Sequence, residues 1–226
     1  MSSFLGISIS QVLGHLKYSD FDNVYEPRED TFLLIDAIVN DKLCLRIKKP
    51  RICVEIGCGT GSVSVLLYKL FEKMQLERPY FLLTDVNKRA ADIAYSTCLH
   101  NGLENFDVIQ TDLLSGLEGK LAGKIDVLIF NPPYVPTPSC EVGKADITAA
   151  WAGGERGREV IDRVLPHLPI LLSPQGVFYI LLVEDNDPCE IETIVKDLGL
   201  LSKVLIRKQA KNEFQLVMKI YKSVQL

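Results

Sequence analysis

Ile52-Cys53-Val54-Glu55-Ile56-Gly57-Cys58-Gly59-Thr60-Gly61 is a short apolar run that ends in three glycines. An apolar stretch of this length bounded by glycines reads as a buried strand, and the glycines allow a tight turn that a ligand can approach closely. Val63, Leu66, Leu67, Leu70 and Met74 then recur at helical spacing. A strand, a glycine turn and a helix in that order form the first unit of a nucleotide-type α/β sheet. The spacing is GxGxG, whereas dinucleotide folds use GxGxxG with a diphosphate at the helix N-terminus. Glu55, just ahead of the first glycine, would repel a diphosphate and attract an amino group or a sulfonium.

Outward from this unit, strand and helix signals keep alternating. Tyr80–Thr84 reads as the second strand, and Ala90, Ile93, Ala94, Thr97 and Cys98 mark a helix that Gly102 can end. Asp107–Gln110 is a short third strand and Ile125–Phe130 a central one. A helix around Arg158–Leu172 contains Pro166 and Pro169 and must kink or break. Val177–Val183 is a further buried strand, followed by a helix marked by Ile191, Ile194, Val195 and Leu198. Lys203–Arg207 and Phe214–Tyr221 close the chain without a helix between them, so they must pair antiparallel as a hairpin. Upstream, Asp30 or Thr31 can cap a helix through Phe32-Leu33-Leu34-Ile35. The expected fold is therefore α/β, a mostly parallel seven-stranded sheet with a C-terminal antiparallel hairpin and helices on both faces. Residues 1–24 are weakly patterned and read as an N-terminal extension before a domain spanning 25–226.

Composition narrows the function classes. The 226 residues are 47% hydrophobic, with a formal charge of −4 and a pI of about 5.5. Nucleic-acid grooves are usually basic, and here the Lys and Arg clusters are short, Arg46–Arg51 and Arg207–Lys211. No run of eighteen uninterrupted apolar residues suggests a membrane span, since Ser173-Pro174-Gln175-Gly176 breaks the longest candidate. No basic segment precedes a long apolar stretch at the N-terminus, so a cytosolic or nuclear setting is expected. The six cysteines form no CxxC pair and the three histidines are scattered along the chain, so no metal site is expected.

Two sets of residues carry chemistry. Glu55, Asp85 and Asp112 each stand at the C-terminal end of a strand, where such sheets bind ligands. Asp85 can accept both hydroxyls of a ribose, and Asp112 can accept a hydrogen bond from an adenine amino group. The second set is Asn131-Pro132-Pro133-Tyr134, directly after the central strand. Prolines have no N–H, so the backbone offers carbonyl acceptors without competing donors. Asn131 adds a side-chain carbonyl, and Tyr134 an aromatic face for a flat group. Two acceptors suit a planar –NH2 group, whose lone pair they leave free to face an electrophile.

Together, Glu55–Gly61, Asp85, Asp112 and Asn131–Tyr134 resemble a class I, Rossmann-like methyltransferase. The tetrapeptide is similar to that of enzymes that methylate exocyclic adenine nitrogens or glutamine amides. Tyr25-Glu26-Pro27-Arg28-Glu29-Asp30-Thr31, Ala149-Ala150-Trp151-Ala152-Gly153-Gly154 and Gly157-Arg158-Glu159 resemble segments of the HemK-like glutamine methyltransferase of eukaryotes and archaea. The match covers nearly the whole chain from Tyr25. The resemblance implies S-adenosyl-L-methionine as cofactor, with Thr31, Glu55, Gly57, Gly59, Gly61, Asp85, Asp112, Leu113 and Asn131 as its contacts. Tyr25, Asn131, Pro132, Pro133 and Tyr134 would meet the substrate, and Asn131, Pro132 and Tyr134 would be the catalytic set. It further implies the glutamine of the GGQ motif in the translation termination factor as substrate, and a small zinc-binding activator subunit as partner. Some members are reported to methylate a histone lysine, and adenine in DNA was once proposed. Bacterial relatives carry a helical domain before the core. The first strand here begins at Ile52, so the resemblance is to the short, partner-dependent branch. A scaffold without catalysis is the contrasting class, which the cofactor acids and Asn131 disfavour. The third strand is expected near a sheet edge, where an activator can add a strand.

Overall fold

The computed structural model describes residues 3–4, 6–210 and 213–223; Lys211 of the second basic cluster lies outside them. Seven strands form one sheet: β1 (Ile52–Ile56), β2 (Tyr80–Asp85), β3 (Phe106–Gln110), β4 (Ile125–Phe130), β5 (Leu172–Val183), β6 (Leu200–Ala210) and β7 (Glu213–Lys222). Their order is β3-β2-β1-β4-β5-β7-β6. The first five run parallel, and β7 pairs antiparallel with both β5 and β6, giving the expected terminal hairpin.

Side chains alternate across this sheet as strand geometry requires. Cys53, Val127, Ile129, Tyr179 and Leu181 face one core, and Val54, Ile56, Leu128, Phe130, Phe178, Ile180 and Leu182 face the other. Helices α1 (Glu29–Asn40), α3 (Ser62–Lys73) and α4 (Lys88–His100) pack on the first face. The short α2 (Lys42–Lys48) follows α1, and its Leu45 is fully buried. Helices α5 (Glu159–Val164) and α6 (Pro188–Asp197) cover the second face. Because both faces are covered, β1 and β4 are buried almost throughout, which is why they read as continuous apolar runs.

Several elements differ from the sequence reading. The proline-bearing helix breaks into α5, a 3-10 turn at Leu165–His167 and a short helix at Leu168–Leu171. Strand β5 starts at Leu172 rather than Val177, running through Pro174 with a register shift against β4. Strands β6 and β7 are also longer than the apolar alternation alone marked. Neither Asp30 nor Thr31 caps α1: the helix begins at Glu29, and its cap position, Arg28, offers no side-chain bond. Asp30 is thereby placed inside the first turn and free to face elsewhere.

Residues ahead of Tyr25 pack on α4. Val12 and Leu13 enter the first core, and Val24 buries against Ala90 and Ile93. Asn101 Nδ2 donates to the Val12 carbonyl at 2.9 Å and Asn87 Nδ2 to that of Asn23 at 2.8 Å. His15 stacks on His100 with ring centroids 4.5 Å apart, although the two are distant in sequence. Among the described residues no helix is long and apolar enough to cross a membrane.

Candidate active site

Successive crossovers from β1 lead outward through β2 to β3, and the chain then returns to place β4 on the other side of β1. The strand order reverses there, and such sheets bind ligands at the C-terminal ends of the strands at this point. A cleft opens there, with a void of about 1050 Å³ including its mouth. The β1–α3 turn, Asp85, Thr111–Leu113 and Asn131 line it. Asn23–Pro27 borders it on one side and Gly143–Ala152 on the other.

The glycine turn takes its shape from left-handed backbone at Gly57, Gly59 and Gly61. At Gly61 a Cβ would also meet the Ala94 Cα at 3.1 Å, so only glycine lets α3 start this close to α4. Asp85 fastens the turn: its Oδ2 accepts from the Gly59 N–H and its Oδ1 from the Asn87 N–H, both at 2.9 Å. Burial raises the Asp85 carboxyl, and the N–H groups of Gly59, Asn87 and Val86 oppose that rise. Each oxygen keeps acceptor capacity for a donor in the cleft.

Glu55 is buried. Its Oε2 accepts from the Ser64 N–H at 3.0 Å and from the Ser64 hydroxyl, leaving Oε1 uncommitted to Ser64. Loss of hydration pushes its carboxyl up to about 8; the Ser64 bonds work against this and the charge of Asp85 adds to it. The protein alone therefore does little to stabilise a charged Glu55, and a cation in the cleft would do so.

Asp112 is exposed and paired with Arg163, whose Nη2 lies 2.6 Å from Oδ2. Arg163 also lines the cleft, and nothing in its sequence context marked it. Leu113 follows with a φ of 53°, a left-handed conformation that a leucine seldom adopts. Thr31, at the start of α1, is buried and lines the cleft.

The acceptor turn is held from below by Asp30, a residue that the sequence suggested only as a helix cap. Asp30 is buried, and its Oδ1 accepts from the Thr31 N–H at 2.7 Å and the Tyr25 hydroxyl at 3.1 Å. Its Oδ2 accepts from Asn131 Nδ2 at 3.1 Å and the Tyr134 hydroxyl at 3.4 Å. A carboxylate can only accept, so the Asn131 amide must turn its –NH2 toward Asp30 and its oxygen away. That oxygen, Oδ1, is buried and has no hydrogen-bond partner among the described residues. Pro133 lines the cleft beside Asn131, whereas Pro132 is buried and Tyr134 spends its hydroxyl on Asp30. Tyr25 lines the cleft too. The structure thus brings Tyr25, Thr31, Glu55, Gly57, Gly59, Asp85, Asp112, Leu113, Asn131 and Pro133 to the lining of one cleft, and leaves Gly61, Pro132 and Tyr134 outside that lining.

The Methyltransferase small domain family matches residues 31–150. Methyltransferase HEMK2 of Homo sapiens is 43% identical, over 93% of this chain and 95% of its own length. The chain belongs to the HemK-like class I methyltransferases. The eRF1 methyltransferase catalytic subunit mtq2 of Schizosaccharomyces pombe is 35% identical to this methyltransferase, over 93% of the chain and 94% of its own. Among solved structures, the E. cuniculi Mtq2-Trm112 complex, responsible for methylation of the eRF1 translation termination factor, superposes with a TM-score of 0.62. It is 28% identical, over 88% of this chain and 99% of that one.

The methyl donor of this methyltransferase is S-adenosylmethionine, and the donor set fits it. Glu55 would hold its ammonium or sulfonium, Asp85 its ribose hydroxyls, and the Asp112–Leu113 turn its adenine. Among the described residues no group of three metal-binding side chains is placed to hold an ion.

Proposed function

We propose that this methyltransferase modifies the side-chain amide nitrogen of the GGQ glutamine in a class I translation termination factor. It would act in the cytoplasm as the catalytic subunit of a heterodimer with a small zinc-binding activator. The observation that carries this reading is Asn131 Oδ1, a buried acceptor without a partner among the described residues, aimed by a carboxylate that fixes the amide from the opposite side.

An amide nitrogen is a weak nucleophile because its lone pair is delocalised, so positioning must supply much of the rate. Asn131 Oδ1 accepts one hydrogen of the substrate –NH2, and a carbonyl of the proline turn accepts the other. With both hydrogens held, the lone pair points away from the turn and into the cleft. When bound, the donor would supply an electrophilic methyl on a sulfonium, and the methylated amide nitrogen, made acidic, loses one of its two hydrogens as a proton afterwards. Pro132 and Pro133 keep N–H donors out of this wall, and Asp30 prevents Asn131 from flipping. The names of the S. pombe and E. cuniculi relatives agree with this substrate and with a partner subunit.

For the partner, β3 is an edge strand among the described residues; its Phe106, Val108 and Ile109 are only partly buried, and the Tyr95 ring centroid lies 5.4 Å from that of Phe106. An activator that adds a strand along β3 would satisfy its backbone and cover these side chains. Full solubility and activity of the isolated chain would count against that role.

The test is transfer of radiolabelled methyl from S-adenosylmethionine to purified termination factor, with and without its GGQ glutamine. Label on the first and none on the second is expected. Equal labelling of both would move the acceptor elsewhere, to a lysine for example, and labelling of DNA would replace it with adenine.

A further inference from the structure

We infer that Asn186, remote in sequence from the acceptor turn, is a positioning residue that clamps this turn from behind. This rests on the methyl-transfer reading above and adds a residue to its machinery. Asn186 is fully buried in the turn between β5 and α6. Its Oδ1 accepts from the Val183 N–H at 2.9 Å, so its –NH2 must face the other way. That –NH2 donates to the carbonyls of Tyr134 and Arg156, both at 3.0 Å, and reaches that of Gly157 at 3.3 Å. One side chain therefore joins the end of β5, the Asn131–Tyr134 turn and the Gly153–Arg158 loop.

The loop is pressed against the same turn. A Cβ at Gly153 would lie 2.5 Å from the Pro133 carbonyl, and one at Gly157 would collide with that of Tyr134. Val135 donates to the Trp151 carbonyl at 3.0 Å and receives the Gly153 N–H at 2.9 Å. Arg156 holds a left-handed φ of 56°, a conformation that persists only where its surroundings enforce it. Arg158 is buried and donates to the Asn186 carbonyl at 3.0 Å, anchoring the clamp residue itself. Asp30 thus fixes the Asn131 and Tyr134 side chains and Asn186 the Tyr134 carbonyl, so the turn that carries the acceptor oxygens has little freedom. Asn186 does not line the cleft; it acts through the Tyr134 carbonyl.

The experiment uses the complex with its activator and compares Asn186→Asp, Asn186→Ser and, as a control for stability alone, Ile191→Val in the neighbouring buried core of α6. Asn186→Asp keeps the shape but turns a carboxylate toward three carbonyls; Asn186→Ser is the milder change should the first not fold. Far-UV circular dichroism establishes that each variant is folded at the assay temperature. Trp151 is the sole tryptophan of this chain and its carbonyl accepts from Val135 just ahead of the clamped loop, so a change in emission between complexes with the same activator reports on this neighbourhood. Expected are a kcat at least about tenfold lower, on the scale of lost positioning, a substrate KM and cofactor Kd within about threefold, and a shifted Trp151 emission. Ile191→Val should keep its kcat. A folded Asn186 variant with wild-type kcat overturns the inference. So does a kcat loss shared by Ile191→Val, or one without a change in Trp151 emission. Because emission is read without turnover, a wild-type complex that fails to methylate the factor would refute the substrate while the clamp is still tested.

Discussion

Replacing Asp30 by Asn keeps the shape of the side chain and removes its charge, so it isolates what Asp30 does for Asn131. The wild-type Asp30 receives five donors within 3.4 Å: the N–H and hydroxyl of Thr31, the hydroxyls of Tyr25 and Tyr134, and Asn131 Nδ2. An asparagine has one acceptor oxygen and one –NH2. If the oxygen stays with Thr31 and Tyr25, the –NH2 confronts the Asn131 –NH2, and the latter flips to present its own oxygen. The cleft then meets a donor where it needs an acceptor. A hydrogen bond to a charged group contributes about 1.5–3 kcal/mol, and each 1.36 kcal/mol is a factor of ten in rate. The expected loss in kcat is therefore about ten- to a hundredfold. Asp30 does not line the donor cleft, so the Kd for S-adenosylmethionine should stay within a few-fold of wild type. Single-turnover methyl transfer and calorimetric titration of the cofactor measure the two quantities separately. A variant with wild-type kcat would refute the orienting role, and a loss confined to cofactor affinity would show that Asp30 serves the other site.

Three further outcomes follow from the cleft. Glu55 has its carboxyl raised from 4.5 to about 8, so the folded cofactor-free protein favours its neutral form; the stability this confers is present below pH 4.5 and is lost as pH rises to about 8. Thermal melts without cofactor should show that decline, while calorimetric affinity for the cationic donor should rise toward pH 8, by at most about tenfold per unit, and flatten in Glu55→Gln; a pH-independent wild-type affinity would remove Glu55 from the cation site. Asp85→Ala leaves the N–H groups of Gly59 and Asn87 without their acceptor and removes the carboxylate proposed to hold the ribose. Cofactor Kd should weaken at least about tenfold, from one or more lost hydrogen bonds to a charge, and an unchanged Kd would contradict this placement. Arg163→Ala breaks a pair whose side chains are 45% and 49% exposed, so stability should change by less than about 1 kcal/mol, or a Tm shift under about 4 °C; a larger shift would show the pair to be structural.

Local features were the legible ones. The buried strands β1 and β4, the glycine turn and the acids at strand ends can be read because each depends on residues adjacent in the chain. The hairpin of β6 and β7 followed from the missing crossover, though its length did not, since the outer half of each strand is not patterned by the core. Asp30 was misread because an acid at the start of a helix is nearly always taken for a cap. Its actual partner, Asn131, comes from the far end of β4, and only the fold brings them together. Arg163 and Asn186 carried no signal for the same reason: each acts on a residue from another element. The prolines at 132 and 133 do exclude donors, but the sequence could not show that Pro132 is buried or that the Tyr134 hydroxyl bonds to Asp30.

The decisive measurement is a crystal structure of the complex with its activator, S-adenosylhomocysteine and a peptide carrying the GGQ glutamine. The glutamine amide nitrogen should lie within hydrogen-bond reach of Asn131 Oδ1, with Asn131 Nδ2 still on Asp30 and the nitrogen facing the thioether sulfur. An amide bound elsewhere, or an Asn131 side chain turned the other way with its nitrogen in the cleft, would contradict the account.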